Sequence, residues 1–539
     1  MKKHLGIIGI IVLGILLRLI FIDKPDGLWN DEYVSWYISQ KPFFTEFWQG
    51  ILSQCHMPLY YIYLKIFTSI FGNSDLLLRL TSVLPGIIAI PLMYKIGKEN
   101  NSATGYFCAV FTAISAFLIY YSQEVRFYSL LFLLSAFNLL YTIRLYKDIN
   151  TKNIVLYIIS NLLILCTHTI GFIYVFFNLL AVSINHFKNY KKQILTLWSF
   201  IGISVITLSP LVIKIFTTKS FSQWWGHYSI SKLGFLFTDW FSPVITNLTN
   251  APDNFLYMPK TAIYMLIPTI IAIFCIIKSL KSRQNLSLFL ISIGLICTLT
   301  ITAIIGKLVF ITKYAIEIYP ILIFLACFGL SEIKNKYIKN SLAIIYCAIS
   351  LGFILLFPYS APKMHRAEGH KIPIEMINKA NLQKGDYIIF HYYPKDKFEK
   401  YFDFSNYNVI SMNKGNFYEY ILPNSSYESS FKNGKQEYKN IFLNNENKYF
   451  SNILDKEISL QNGSSVILTI LDSVSFYSPD EFKKIVQNEA LYNKTPFLFL
   501  VFSYLKKETF EHLVKSLVVT QIERKGMWTL VKFTKLNNQ

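Results

Sequence analysis

The chain has 539 residues, of which 53% are hydrophobic and only 16% charged. Soluble domains run near one quarter charged, so this composition excludes an ordinary soluble protein and fits a polytopic membrane protein. The formal net charge of +20 would suit a nucleic-acid binder, but the lysines recur in short clusters between apolar runs, as in cytoplasmic membrane loops.

The first run, MKKHLGIIGIIVLGILLRLIF, has the charged start of a signal peptide without a small-residue cleavage site. It reads as a retained signal-anchor helix. Crossing a bilayer takes about 20 mostly apolar residues. Spans are expected at 5–22, 76–94, 103–121, 127–146, 153–167, 170–187, 194–215, 261–279, 286–306, 314–331 and 339–357, eleven in all. Of these, 153–187 reads as two short spans broken near His168.

Basic clusters set the orientation. Lys2 and Lys3 precede the first span, and every even-numbered span ends in a cluster such as Lys95 and Lys98, or Lys188, Lys191 and Lys192. Those ends are expected in the cytoplasm. The loops 23–75, 122–126, 168–169, 216–260 and 307–313 then face outward, as does everything after 357. Within the first loop, YVSWYISQ and PLYYIYLKIFTSIF read as helices lying along the membrane surface.

From about 358 to 539 the composition shifts to Lys, Asn, Glu and Ser. GDYIIFHYY (385–393) and SSVILTILD (464–472) read as strands, and PDEFKKIVQNEALY (479–492) as a capped helix. TPFLFLVFSYL (495–505) is too short to span, and VVTQIERKGMWTLVKF (518–533) reads as a hairpin turning at Lys525-Gly526. The expected architecture is a polytopic α-helical membrane domain over 1–357, with a long first loop 23–75, and an extracytoplasmic α/β domain over 358–539. Seven cysteines, with no CxxC pair and none after Cys347, indicate neither a zinc site nor a disulfide framework.

This topology gathers ionisable groups on the outer face: Asp31 and Glu32 in LWNDEYVS, His56, Glu124 and Arg126 in YYSQEVRFYSL, His168, His227, and Lys313 beside Tyr314. Burying a charge near the centre of a spanning helix costs roughly 2.5–3.5 kcal/mol. Each residue has an ordinary explanation. Asp31 and Glu32 fit the first turn of a helix capped by Asn30. His56 and His168 fit hydrogen-bonded interfacial residues, Glu124 and Arg126 an ordinary loop pair, Lys313 a snorkelling lysine, and Trp224-Trp225 interfacial anchors. What sets them apart is that several loops deliver them to one side.

These pieces resemble a family. LWNDE (28–32), HMPLYYIYLKIF (56–67), GNSDLLLRLTSVLPG (72–86), YYSQEVRFYSLL (120–131), THTIGF (167–172) and KYAIEIYP (313–320) are similar, in order, to motifs of the GT-C membrane glycosyltransferases. Among these the chain resembles the dolichyl-phosphate-mannose protein mannosyltransferases and the bacterial aminoarabinose transferases of lipid A. Met57 stands where the family has proline, and Lys313 where it has arginine.

The resemblance implies an inverting transfer of a sugar from a polyprenyl phosphate to an acceptor hydroxyl or phosphate on a lipid, protein or envelope glycan, at the outer face. It makes Asp31 the base, with Glu32 either supporting it or binding the acceptor, and Glu124 a second functional acid. Arg126, His168, Lys313 and Tyr314 would meet the donor phosphate. A divalent metal ion is compatible with it, since His56 and His227 fall near metal-ligand positions in some relatives. No nucleotide-sugar motif or Gly-rich phosphate loop is present, which agrees with a lipid-linked donor. Oligosaccharyl transfer is disfavoured because Trp224-Trp225-Gly226 lacks the aspartate of a WWD signature. A transporter or flippase of lipid-linked sugars is the alternative of another class, though helices broken at mid-membrane and a repeated half are not evident.

Overall fold

The computed structural model describes residues 2–53, 56–217, 231–242, 259–305, 312–356, 369–390, 395–411, 465–471, 488, 517–526 and 528–535. The chain divides into two units: Met1–Asp23 with Val34–Met364, and Lys24–Tyr33 with His365–Gln539. The sequence had suggested a single boundary at 357, with all of 23–75 in the membrane domain. Instead, Lys24–Tyr33 belongs with the C-terminal unit, and the reason is local hydrogen bonding given below.

In the first unit each of the eleven apolar runs falls on a helix. Among the described residues, six helices are long and apolar enough to cross a membrane: Asp75–Lys98, Tyr128–Lys147, Lys191–Lys214, Arg283–Ile304, Thr312–Ser331 and Lys336–Leu356. A seventh candidate is the pair Ser102–Ile114 and Ala116–Ser122, bent by 55°. Leu5–Leu19, Thr151–Leu165, Gly171–His186 and Leu266–Ser279 are apolar but shorter. Eleven spans were expected, two of them short; by length and composition the described helices provide six or seven.

The bend has an identifiable cause. Ser115 leaves the helical region at φ −64°, ψ 115°, and its hydroxyl accepts the Leu118 N–H at 3.3 Å, starting a new helix. The carbonyls of Thr112 and Ala113 turn to the buried Arg18 guanidinium, at 3.0 and 3.1 Å. The carbonyls that the break exposes thereby accept from both terminal nitrogens of a positive charge buried in the helix bundle.

The helices Tyr128–Lys147, Thr151–Leu165 and Gly171–His186 share a buried amide network. Asn178 donates to Asn138 Oδ1 at 2.7 Å and accepts from Tyr157 at 2.8 Å and Thr142 at 3.1 Å. Asn138 accepts from Tyr174 at 3.0 Å and donates to Ser160 at 2.9 Å. Both amides are paired, as groups removed from water must be.

In the second unit five strands form one mixed sheet: β1 Tyr387–Phe390, β2 Asn408–Ser411, β3 Ser465–Leu471, β4 Val518–Lys525 and β5 Trp528–Thr534, in the order β2-β1-β3-β5-β4. β1 pairs in parallel with β2 and β3, while β5 runs antiparallel between β3 and β4. The β4–β5 hairpin turns at Lys525-Gly526 as the sequence predicts, with Gly526 at φ +59°. One face packs the helix Lys371–Lys379 over a core of Ile388, Phe390, Phe398, Ile467, Trp528 and Leu530. The helix expected at 479–492 and the apolar stretch 495–505 lie outside the described residues, apart from Asn488.

Candidate active site

The acidic pair is built into the second unit. The carbonyls of Asp26 and Leu28 accept the backbone N–H groups of Lys371 and His370, each at 3.0 Å. The Leu28 N–H donates to the Tyr401 hydroxyl at 2.9 Å, and the Tyr33 hydroxyl donates to the Asp396 carbonyl at 2.7 Å. Lys397 Nζ donates to Asn30 Oδ1. The approach is close enough that a Cβ on Gly369 would lie 2.2 Å from the Asp26 carbonyl oxygen, so only glycine fits there.

Within this frame the two acids differ. The helix is Asn30–Gln40, so Trp29, not Asn30, holds the cap position, and Glu32 Oε2 accepts the Trp29 N–H at 3.3 Å. That is one half of a capping box. Glu32 is 2% exposed, whereas Asp31 is half-buried and reachable. The ordinary explanation therefore holds for Glu32, while Asp31 stands beside it in the first turn of the same helix. Tyr33 and Phe398 lie against the buried His370 ring, at centroid distances of 5.3 and 5.4 Å. Burial first, and the nearby Lys397 second, hold the His370 imidazole well below its usual range.

The basic residues gather in the first unit. Residues 123–127 are not helical: they turn between Ala116–Ser122 and Tyr128–Lys147. The turn is fastened by Gln123, whose amide donates to the carbonyls of Arg18 and Ile20 at 3.0 and 2.8 Å, and by Ser82, which donates to the Arg126 carbonyl at 3.1 Å. Glu124 and Arg126 are both buried. Arg126 meets Ser35 Oγ at 3.2 Å and His56 Nε2 at 3.3 Å.

His56 reaches this place because the Leu59 N–H donates to the Cys166 carbonyl at 2.8 Å, tying its segment to the turn that carries His168. The three rings of His56, Phe127 and His168 pack together, with Phe127 5.0 Å from His56 and 4.8 Å from His168. The His56 ring Nδ1 is buried without a hydrogen-bond partner among the described residues. Desolvation, then the positive charge of Arg126, keeps this imidazole well below its usual range.

His168 is 3% exposed, and its Nδ1 lies 2.9 Å from Glu317 Oε1. Tyr314 approaches the same ring at 6.1 Å, and Lys313 Nζ sits 5.3 Å over the Tyr128 ring. Glu317 was not among the residues the sequence singled out. It is a lone acid inside the expected span 314–331, which by itself is a signal of function.

The structure thus brings together His56, Glu124, Arg126, His168, Lys313 and Tyr314, and adds Glu317. His227 and Trp224-Trp225 lie outside the described residues. Among the described residues no group of three or more His, Cys, Asp or Glu side chains gathers as a metal site would need. His56 faces a guanidinium, which would repel a metal cation, so the described residues do not fit one.

The fold is similar to that of a solved structure, ArnT. ArnT from Cupriavidus metallidurans in the apo state superposes with a TM-score of 0.56 at 11% identity, covering 99% of this chain and 98% of that one. The same protein bound to undecaprenyl phosphate superposes with a TM-score of 0.51 at 9% identity, covering 97% of each chain. The Archaeoglobus fulgidus oligosaccharyltransferase in its apo form reaches only 0.38 at 12% identity, over 71% of this chain and 62% of that one. Residues 55–213 match the family described as dolichyl-phosphate-mannose-protein mannosyltransferase. The chain accordingly shares its fold with ArnT and resembles the dolichyl-phosphate-mannose-protein mannosyltransferase family over its matched segment. No curated protein matches the sequence.

Proposed function

We propose that the protein is an inverting glycosyltransferase that takes a sugar from a polyprenyl phosphate at the extracytoplasmic face of a membrane. The observation that carries the reading is the first unit's charged cluster: Arg126 and His168 on separate turns, and Lys313 near the start of the 3-10 helix Thr312–Ile318. Cations held there suit a phosphate leaving group, and ArnT, which shares the fold, has been solved with undecaprenyl phosphate.

In the proposed reaction an acceptor oxygen attacks the anomeric carbon. The bond from that carbon to the phosphate oxygen breaks, and the polyprenyl phosphate leaves with the electron pair. Asp31 takes the acceptor proton; partial desolvation strengthens a carboxylate for that task. Arg126 offers a bidentate fork to the phosphate, and Lys313 a point charge. Tyr314 and His168 supply further donors, and Glu124 is the second functional acid. Glu32 supports Asp31 by closing the helix start. The basic clusters at even-numbered span ends support the outward placement of the site and of the C-terminal unit. Mannose, aminoarabinose and other sugars, and lipid, protein or glycan acceptors, all fit this chemistry.

The test is transfer from a panel of radiolabelled polyprenyl-phosphate sugars to a crude envelope extract, comparing the purified chain with Asp31→Asn. Label is expected to move only with the native chain. Wild-type turnover in Asp31→Asn overturns the catalytic assignment. Labelled lipid crossing liposomes without any transfer favours a flippase.

A further inference from the structure

Glu317 is fully buried, and it sits among Ala315, Ile316 and Ile318, which are also fully buried. An apolar residue would be far cheaper at such a position, since a charge taken out of water costs several kcal/mol unless it is paired. One carboxylate oxygen, Oε1, lies 2.9 Å from His168 Nδ1. The other, Oε2, has no hydrogen-bond partner among the described residues. Phe127 stacks on the His168 ring at 4.8 Å and 30°, so the imidazole is held both at its face and at one nitrogen.

We infer that Glu317 is a positioning residue for His168, fixing the imidazole through Nδ1 so that Nε2 is the nitrogen left to meet the donor phosphate. An ionised carboxylate only accepts hydrogen bonds, so the proton between the two sits on Nδ1. Donation from Nε2 to a phosphate needs a proton on each ring nitrogen, and a carboxylate accepting at Nδ1 is the partner that suits such a ring while fixing its orientation. The other charged or titratable groups around the ring are His56 at 6.5 Å and Tyr314 at 6.1 Å, with Arg126 bonded to His56 and Lys313 four positions before Glu317. None of them is shown bonded to Nδ1; Glu317 is. The inference rests on the reading that His168 faces the donor.

Undecaprenyl phosphate binding to the full chain in nanodiscs tests it without knowledge of the sugar. The variants are Glu317→Gln, Glu317→Asp, His168→Gln and the Glu317→Gln/His168→Gln double. Glu317→Gln is nearly isosteric and should weaken binding by roughly tenfold with the melting temperature little changed, and Glu317→Asp should recover part of the loss. In the His168→Gln background, Glu317→Gln should cause no further loss, because its effect runs through the ring. Ring 15N shifts of labelled histidine, assigned with His168→Gln, should show Nδ1 protonated in the wild type and altered in Glu317→Gln. Additive losses, or wild-type affinity and shifts in Glu317→Gln, overturn the positioning role. A wild-type chain that does not bind undecaprenyl phosphate overturns the donor reading instead, and the inference with it.

Discussion

Two polar regions lie within the helices of the first unit, and they are built differently. Around Asn138 and Asn178, every amide group has a partner on a neighbouring helix. Around His56, His168 and Glu317, aromatic rings and charges pack together, but His56 Nδ1 and Glu317 Oε2 are buried without partners among the described residues. A closed network stabilises helix packing and asks for nothing more, whereas a buried group left unsatisfied costs about 1–3 kcal/mol. The contrast teaches that polarity inside a bundle is not itself a sign of a site; ionisable side chains brought together from separate segments are the better sign.

The comparison can be broken most forcefully at Arg126. Arg126→Gln should lower transfer by about 10²–10³-fold, the usual loss when one donor to a developing negative charge is removed, while the folded protein persists on size-exclusion chromatography. Turnover within a few fold of wild type would remove the charged cluster from the mechanism.

The converse variant sharpens the contrast from the other side. Asn178→Leu leaves Asn138, Thr142 and Tyr157 each short of a partner. It should cost roughly 1–3 kcal/mol of stability, read as a lowered midpoint of thermal unfolding, with kcat and donor KM of the surviving protein unchanged. A kinetic defect without a stability defect would make the amide network part of the site.

The smallest effect concerns acid. Burial holds both His56 and His370 neutral in the folded chain. Above about pH 6.5 neither state of the protein carries their protons, so they contribute no pH dependence. As pH falls below that value the unfolded chain takes up protons the folded chain refuses, and stability is lost. His370→Phe, which keeps a ring between Tyr33 and Phe398, should flatten this acid limb by up to about 1.4 kcal/mol per pH unit. An unchanged limb in urea titrations between pH 5 and 7 would mean that His370 protonates without penalty.

Much of the fold was legible in the residue order. Apolar runs locate helices because a lipid-facing or buried backbone must satisfy its own hydrogen bonds, and each expected run is helical. Their lengths were less legible: the 103–121 run is broken at Ser115, and the partner that makes the break tolerable, Arg18, comes from a different helix. The β4–β5 hairpin was readable from alternation and the Lys525-Gly526 turn. The residue types at 31, 56, 124, 126, 168, 313 and 314 stood out as polar groups near expected span ends. The difference in burial between Asp31 and Glu32 did not, because it depends on which residue caps the helix.

By itself, then, the sequence determined that this is a polytopic helical membrane protein with a distinct C-terminal α/β region, and named most of the groups at its polar cluster. Hydropathy and side-chain period are local properties, readable within a window of about 20 residues. The tertiary structure alone decided that Lys24–Tyr33 belongs to the C-terminal unit, through a bond between Leu28 and Tyr401 that spans 373 positions. It alone brought Glu317 to His168, across 149 positions. Neither pairing leaves a trace in local pattern, because hydrogen-bond partners are chosen by proximity in the folded chain and not by distance along it.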